Sequence, residues 1–230
     1  MIPPRLTKTT LREHFGYHLW IYLLIFALVF FAADGAIGVI KNNIPPTDRL
    51  IVLLVGDVYR SVDLERVHDE LRADTPDIKH IELRHKYLII AGQQPGEELL
   101  PGTMDVPKVL ANQDNQIVAM GMTGLVPDYA DAVILHVDLL NYFAAMGAVQ
   151  PLDGYFEDGT LDARLREFAI YAQDAEGRTI IVGLSAKPLR RFSRLNILET
   201  AHHASCIAET SGNKDAAARA LAWLYENAAR

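Results

Sequence analysis

Five polar side chains in this sequence come directly after hydrophobic runs and are candidates for ligand contact. They are Asp57, Tyr59, His136, Asp138 and Ser185. Ionised carboxylates accept several hydrogen bonds and aromatic rings stack on apolar sugar faces, so a carboxylate beside a ring suits a sugar. If the runs are strands of an α/β sheet, these side chains lie where ligands collect, at the strands' carboxyl ends. The alternative is that Asp57 and Asp138 cap the helices that follow them.

A second candidate is the segment HHASC at 202–206, which combines two histidines with the chain's single cysteine, Cys206. Imidazole and thiolate groups together suit a soft metal ion. Neighbouring residues on a strand point to opposite faces, so His202 and His203 could not both reach one ion from a strand. No further ligand pair with a zinc-type spacing is present in the sequence. We therefore predict neither a metal nor a cofactor.

Motifs and charge argue against two large classes of function. The sequence contains no nucleophile elbow, no phosphate-cradling glycine loop and no pair of carboxylates with a nearby base, so no motif supports an enzyme. The net charge is −7 and the positive residues do not collect in one segment, which excludes a nucleic-acid groove. A hydrolase using Asp57 or Asp138 is the least favoured interpretation, and binding is favoured over catalysis.

The most apolar stretch of the chain lies near its N-terminus. Residues 19–40, LWIYLLIFALVFFAADGAIGVI, carry one charged side chain, Asp34. About 20 apolar residues suffice to span a bilayer as a helix. We expect a transmembrane anchor here. A signal peptide cleaved near Ala33-Asp34-Gly35 and a buried core helix are the alternatives.

The charges that flank this stretch predict an orientation. Arg5, Lys8 and Arg12 precede it with only Glu13 against them, so the positive-inside rule places the N-terminus in the cytoplasm. We therefore expect a single-pass protein of the cell membrane. Its predicted parts are a cytoplasmic segment (1–18), an anchor (19–40), a proline-containing linker (41–48) and an extracytoplasmic domain (49–230).

Beyond the linker, apolar runs alternate with helical patterns. Strands are predicted at 49–56, 80–92, 130–137, 178–186 and 204–210. Helices are predicted at 61–73, 106–122, 138–147, 161–173 and 213–229. Strands that alternate with helices of this length imply right-handed crossovers, and so a three-layer α/β fold with a mainly parallel sheet.

The order of several segments resembles the extracellular solute-binding proteins of ABC importers, which have the type II periplasmic-binding fold. The segments are VGD (55–57), GLVPDYADAVIL (124–135), LLNYFAAMGAVQPLDGYF (139–156), AEGRTIIVGLSA (175–186) and SCIAETSGNKDAAARALAWLYEN (205–227). The third is similar to the family's segment in which Gly ends a helix and Pro-Leu-Asp starts the next element. The fourth resembles the strand that enters the binding cleft. The resemblance covers most of 49–186 and 201–228.

This resemblance implies one lobe of a solute-binding protein. Family members continue after the cleft strand through a long segment that builds a second lobe, whereas only residues 187–203 stand in its place here. The implied function is a membrane-anchored, extracytoplasmic solute-binding-like or accessory subunit beside an ABC transporter permease, with a small, carbohydrate-type solute. The alternative is a degenerate structural or protein-interaction module with no small-molecule ligand.

Overall fold

A computed structural model describes residues 48–56, 61–91, 99–173, 176–189 and 200–227, together with Phe26, Val29 and Phe192. The chain divides into two compact units, Met1–Ile44 and Pro45–Arg230. Phe26 and Val29 are the described residues of the first unit. The architecture given below is therefore that of the second unit.

The second unit contains strands and helices in mixed order along the chain. Its described strands are β1 (Arg49–Val55), β2 (His80–Lys86), β3 (Ala132–His136), β4 (Ala169–Gln173), β5 (Thr179–Ser185) and β6 (His203–Ile207). Its described helices are α1 (Ser61–Asp74), α2 (Val106–Ala111), α3 (Gln116–Met122), α4 (Val137–Ala145), α5 (Asp153–Glu157) and α6 (Lys214–Asn227). A 3-10 helix, Ala163–Phe168, leads into β4.

The strands form one mixed sheet in the order β2-β1-β3-β6-β5-β4. Strand β1 pairs in parallel with β2 and β3, whereas β6 is antiparallel to both β3 and β5, and β4 is antiparallel to β5. The prediction of a mainly parallel sheet is therefore wrong. The reason is that β4 and β5 follow each other without a crossover helix, and β6 begins at the edge where β5 ends, so these strands return beside their neighbours.

Both faces of the sheet are buried, which confirms the three-layer α/β architecture. Along β1, Leu50, Val52 and Leu54 contribute to one hydrophobic core, while Leu53 and Val55 contribute to the other. Helices α1 and α6 cover the first face, and α2, α3 and α4 cover the second. A strand buried on both faces carries apolar residues throughout, which explains the continuous run in the sequence.

Two helix predictions are corrected by the structure. The segment 161–173 is not one helix, because its second half forms β4. The segment 106–122 is two helices separated at Asn115, whose buried side-chain amide donates hydrogen bonds to the carbonyl oxygens of Val109 (2.9 Å) and Ile89 (2.7 Å). These long-range bonds require a turn where the periodicity alone predicts a continuous helix.

The predicted N-terminal spanning helix is also corrected. Within the described part of the chain, no helix is both long and apolar enough to pass through a bilayer. Helices α1 and α6 have 14 residues each, the greatest length among those described. That length corresponds to about 21 Å, short of the roughly 30 Å that a span requires. The segment 19–40 itself lies outside the described residues except for Phe26 and Val29.

Candidate functional site

Three of the five predicted site residues lie along one edge of the sheet, at which β1, β2, β3 and β5 end; we name it the carboxyl edge. His136 is the last residue of β3, Asp138 lies in the first turn of α4, and Ser185 is the last residue of β5. Strand β6 runs between β3 and β5, so Ser185 is two strand spacings, about 10 Å, from His136. Asp57 and Tyr59 lie outside the described residues.

His136 is buried and both of its ring nitrogens have backbone partners. Its Nε2 lies 3.0 Å from the carbonyl oxygen of Leu99, and its Nδ1 accepts a hydrogen bond from the backbone N–H of Asp138 at 3.2 Å. Because Nδ1 accepts, Nε2 carries the hydrogen that is donated to Leu99. His136 is therefore the N-cap of α4, a role that the sequence analysis offered, as the alternative, to Asp138.

Asp138 holds a neighbouring loop against the carboxyl edge instead of capping its own helix. Its Oδ1 accepts a hydrogen bond from the backbone N–H of Gly102 (2.7 Å) and its Oδ2 one from Met104 (3.1 Å). Gly102 has φ +79°, a left-handed turn conformation that glycine adopts without strain. With the bond from His136 to Leu99, Asp138 fixes the segment 99–104 beside the end of β3.

Ser185 is half-buried, and hydrogen bonds to its hydroxyl and carbonyl oxygens fix its position. Its hydroxyl oxygen accepts a long hydrogen bond from the backbone N–H of Lys187 (3.4 Å). Its carbonyl oxygen lies 2.9 Å from the buried hydroxyl of Tyr225, which also contacts the carbonyl of Leu184 and the hydroxyl of Ser205 at the same distance. This buried network ties α6 to the ends of β5 and the middle of β6, and so positions Ser185.

The structure adds His203 to this edge, a residue for which the sequence suggested only a metal-ligand role. His203 begins β6 and pairs in register with His136, and the two rings meet edge to face with centroids 5.8 Å apart. Its Nδ1 is buried and has no hydrogen-bond partner among the described residues. The two histidines are far apart in sequence, so only the antiparallel pairing of β3 with β6 could have revealed their contact.

The environment of His203 disfavours its charged form. Burial is the main cause that lowers the pKa of this side chain to about 3, and the neighbouring His136 and His202 lower it further, while a hydrogen bond with the backbone of Val55 acts in the opposite direction. The imidazole is therefore neutral near pH 7. A neutral imidazole offers one N–H and one lone pair, so it can either donate or accept a hydrogen bond.

The segment 202–206 does not form a metal centre with the other described residues. Over the described ranges, no group of three or more His, Cys, Asp or Glu side chains is arranged to hold an ion. Cys206 is buried opposite Val133, and burial raises the pKa of its thiol to about 12. A thiol with so high a pKa supplies no thiolate for a metal or for nucleophilic attack.

Comparison with known proteins does not assign the chain to a family. No protein-family model matches the chain, and no curated protein matches it either. The resemblance to solute-binding proteins therefore stays a prediction from the sequence segments given above.

Proposed function

We propose that this chain binds a small solute at the carboxyl edge and serves as a solute-binding-like or accessory component of an ABC transporter. One observation carries the proposal. Strand β1 has its sequence neighbour β2 on one side and β3 on the other, all three parallel. The helices that follow β1 and β3 lie on opposite faces of the sheet. In open α/β sheets, ligands bind outside the carboxyl ends of strands whose connections diverge in this way.

The polar groups at this edge support an uncharged, hydroxyl-rich solute of the carbohydrate type. Ser185 contributes a half-buried hydroxyl, and His203 contributes a neutral ring whose Nδ1 has no partner among the described residues. A solute hydroxyl group can donate and accept hydrogen bonds, so it can pair with either a donor or an acceptor of the protein. The resemblance to solute-binding proteins implies the same class of solute.

A second function, a structural or protein-interaction module, is favoured by a different observation. Both nitrogens of His136 and both oxygens of Asp138 already bind backbone groups of this domain. These two residues therefore have a complete structural role that requires no solute. A domain that has lost its ligand would keep this role, because it fixes the segment 99–104.

Thermal unfolding of the full-length chain with a panel of sugars, amino acids and short peptides separates the two functions. A ligand present at 100 times its dissociation constant stabilises the folded state by about 2.7 kcal/mol. We expect one or more sugars to raise the melting temperature in a concentration-dependent way. If no compound of the panel does so while the chain unfolds cooperatively, the interaction module is the better account.

The transporter partner is tested separately. Affinity purification of the tagged full-length chain from its own cells is expected to recover a permease or ATPase subunit. Recovery of the chain without any transporter component would contradict this part of the proposal and leave solute binding to be decided by the unfolding experiment.

A further inference from the structure

We propose that Nδ1 of His203 makes a direct hydrogen bond to the solute, and that the solute group at this position is uncharged. The inference rests on the proposed function, since it names a contact residue and the charge of the ligand at the same site. It concerns a residue that the sequence had not placed among the five candidates.

Among the described polar side chains of this edge, His203 differs from the others because one of its nitrogens has no hydrogen-bond partner. Both nitrogens of His136, both oxygens of Asp138 and the hydroxyl of Ser185 have partners within the described part of the domain. Nδ1 of His203 is the one buried side-chain nitrogen or oxygen of the described residues that lacks a partner. Native proteins pair nearly all such atoms, because a buried polar atom without a partner loses its hydration and gains nothing in return. A hydroxyl group of the solute supplies the missing partner.

The second step is the position of the ring. His203 faces His136 across the β3–β6 pair, and the backbone N–H of Ala186 donates to its carbonyl oxygen at 2.8 Å. Its backbone therefore links the ends of β3 and β5, the two described strands whose last residues were predicted to contact a ligand. A solute bound over the end of β3 beside His136 would reach His203, whereas Ser185 pairs with the next residue, Ala204, and so points to the opposite face of the sheet.

The third step concerns charge. A cation would need a carboxylate, and Asp138, the described carboxylate beside His136, already accepts hydrogen bonds from the amides of Gly102 and Met104 with its two oxygens. An anion would need a charged donor with a free N–H, but both ring nitrogens of His136 have backbone partners, and Lys187 is exposed to solvent, where its field is screened. A hydroxyl group satisfies Nδ1 of a neutral ring in either tautomer.

Three probes of similar shape test the charge. D-glucose is neutral, D-glucuronate carries a carboxylate and D-glucosamine carries an ammonium group, and calorimetry with the full-length chain gives the affinity of each. Maltose and D-xylose extend the neutral set if glucose is the wrong size. We expect the neutral sugars to bind at least about tenfold more tightly than the charged ones, the loss that follows when a buried group meets an unmatched charge.

Two variants with similar side chains test the contact atom. His203→Asn retains a polar atom near the position of Nδ1, whereas His203→Gln places its amide near the position of Nε2. We expect the His203→Gln variant to bind the neutral sugar about tenfold more weakly than the natural chain, and the His203→Asn variant to stay within a few-fold of it. Circular dichroism and thermal unfolding of each variant establish that it is folded.

A spectroscopic measurement on the unaltered sequence covers the case in which the variants misfold. In a chain labelled with ¹⁵N-histidine, we expect the neutral sugar to move the Nδ1 resonance of His203 and leave those of His136 in place. If a sugar binds but this resonance does not move, or both variants bind as the natural chain does, the inference is wrong and the proposed function stands. Tighter binding of glucuronate or glucosamine overturns the charge assignment. If no probe and no compound of the thermal panel binds the folded chain, both proposals fail.

Discussion

Strand β3 has a buried polar cluster at each of its ends. Before its first residue, Asp131 accepts hydrogen bonds from the backbone N–H of Ile51 (2.7 Å) and from the hydroxyl of Ser211 (2.6 Å), and Ser211 in turn accepts from the backbone N–H of Asn213 (3.0 Å). At its last residue, His136 has both ring nitrogens paired, but the facing His203 has one buried nitrogen without a described partner.

The two clusters differ in whether every buried polar atom has a hydrogen-bond partner, and this difference separates structural polar groups from candidate functional ones. The Asp131 cluster is saturated, since each of these hydrogen bonds joins β1, β3 or the segment before α6, and folding alone explains it. At the carboxyl edge, Nδ1 of His203 is buried with no partner in the part of the chain that the structure describes, which lowers stability. Changes of pH and substitutions in either cluster test this contrast.

Acid should destabilise the chain through His203. Its folded pKa of about 3 lies below the value of 6.5 for the unfolded side chain, so its contribution is fully present above pH 6.5 and is lost as the pH falls towards 3. At about 1.4 kcal/mol per pH unit, the upper limit of this loss is about 5 kcal/mol. Urea unfolding between pH 7 and pH 3 measures it, and His203→Gln should flatten the acid side of the profile. An unchanged profile in that variant would show that His203 is not buried as described.

Among single substitutions, replacement of Asp131 should destabilise the chain most. In Asp131→Ala the buried N–H of Ile51 and the hydroxyl of Ser211 lose their acceptor, which should cost about 2–4 kcal/mol in the free energy of unfolding. Asp131→Asn keeps one oxygen acceptor and should cost less than half as much. Equal losses in the two variants, measured by urea unfolding, would mean that packing matters here and hydrogen bonding does not.

The same residue should give the opposite pH response to that of His203. Burial raises the pKa of Asp131, with hydrogen bonds from Ser211 and from the amides of Ile51 and Asn213 acting against it. A raised folded pKa means that its contribution is fully present below the unfolded pKa and is lost as the pH rises through the folded pKa. The difference in stability between the natural chain and Asp131→Asn should therefore shrink with increasing pH over that range.

Replacing Asp138 should loosen one loop and leave the rest of the sheet in place. Asp138→Ala removes the acceptor of the amides of Gly102 and Met104, and we expect a loss of about 1–2 kcal/mol. Hydrogen exchange at these two amides should accelerate, while exchange at β1 and β3 stays slow. Asp138→Asn, which keeps one oxygen, is the matched control and should show faster exchange at one of the two amides only.

Removing the Tyr225 hydroxyl should have the smallest effect. Tyr225→Phe loses the contacts with the carbonyls of Leu184 and Ser185 and with Ser205, and we expect a loss of about 1 kcal/mol. The exposed Tyr171 of β4 provides the control, because Tyr171→Phe should stay within about 0.5 kcal/mol of the natural chain. A larger loss in the control than in Tyr225→Phe would contradict the assignment of Tyr225 as a structural anchor.

The sequence predicted several elements of the fold because their signals are local. The interiors of β1, β3 and β5 carry no polar side chain, and polar residues occur only at their ends, which indicates strands buried on both faces. The helix from Lys214 was also expected from its amphipathic pattern and its cap, and Asn213 accepts a hydrogen bond from the backbone N–H of Ala216 at 3.4 Å. At these positions the local preference and the tertiary environment agree.

The segment 161–173 shows why other elements could not be predicted. Its composition favours a helix, but residues Ala169–Gln173 pair with β5. Ile170 and Ala172 pack against the core of the second face while Tyr171, between them, is exposed, which is the alternation of a strand. Helix propensity is a weak preference, and pairing with an available neighbouring strand overrides it.

Local patterns were enough to locate the buried strands β1, β3 and β5 and the polar residues at or just after their ends, His136, Asp138 and Ser185. The strand directions and the position of His203 opposite His136 depend on tertiary contacts. The physical reason is that a buried strand has the same apolar pattern whether its neighbour runs parallel or antiparallel. The direction of each strand depends on how segments that are distant in the sequence pack together. The contact between His136 and His203, on which the proposed hydrogen bond to the solute rests, depends on the same packing.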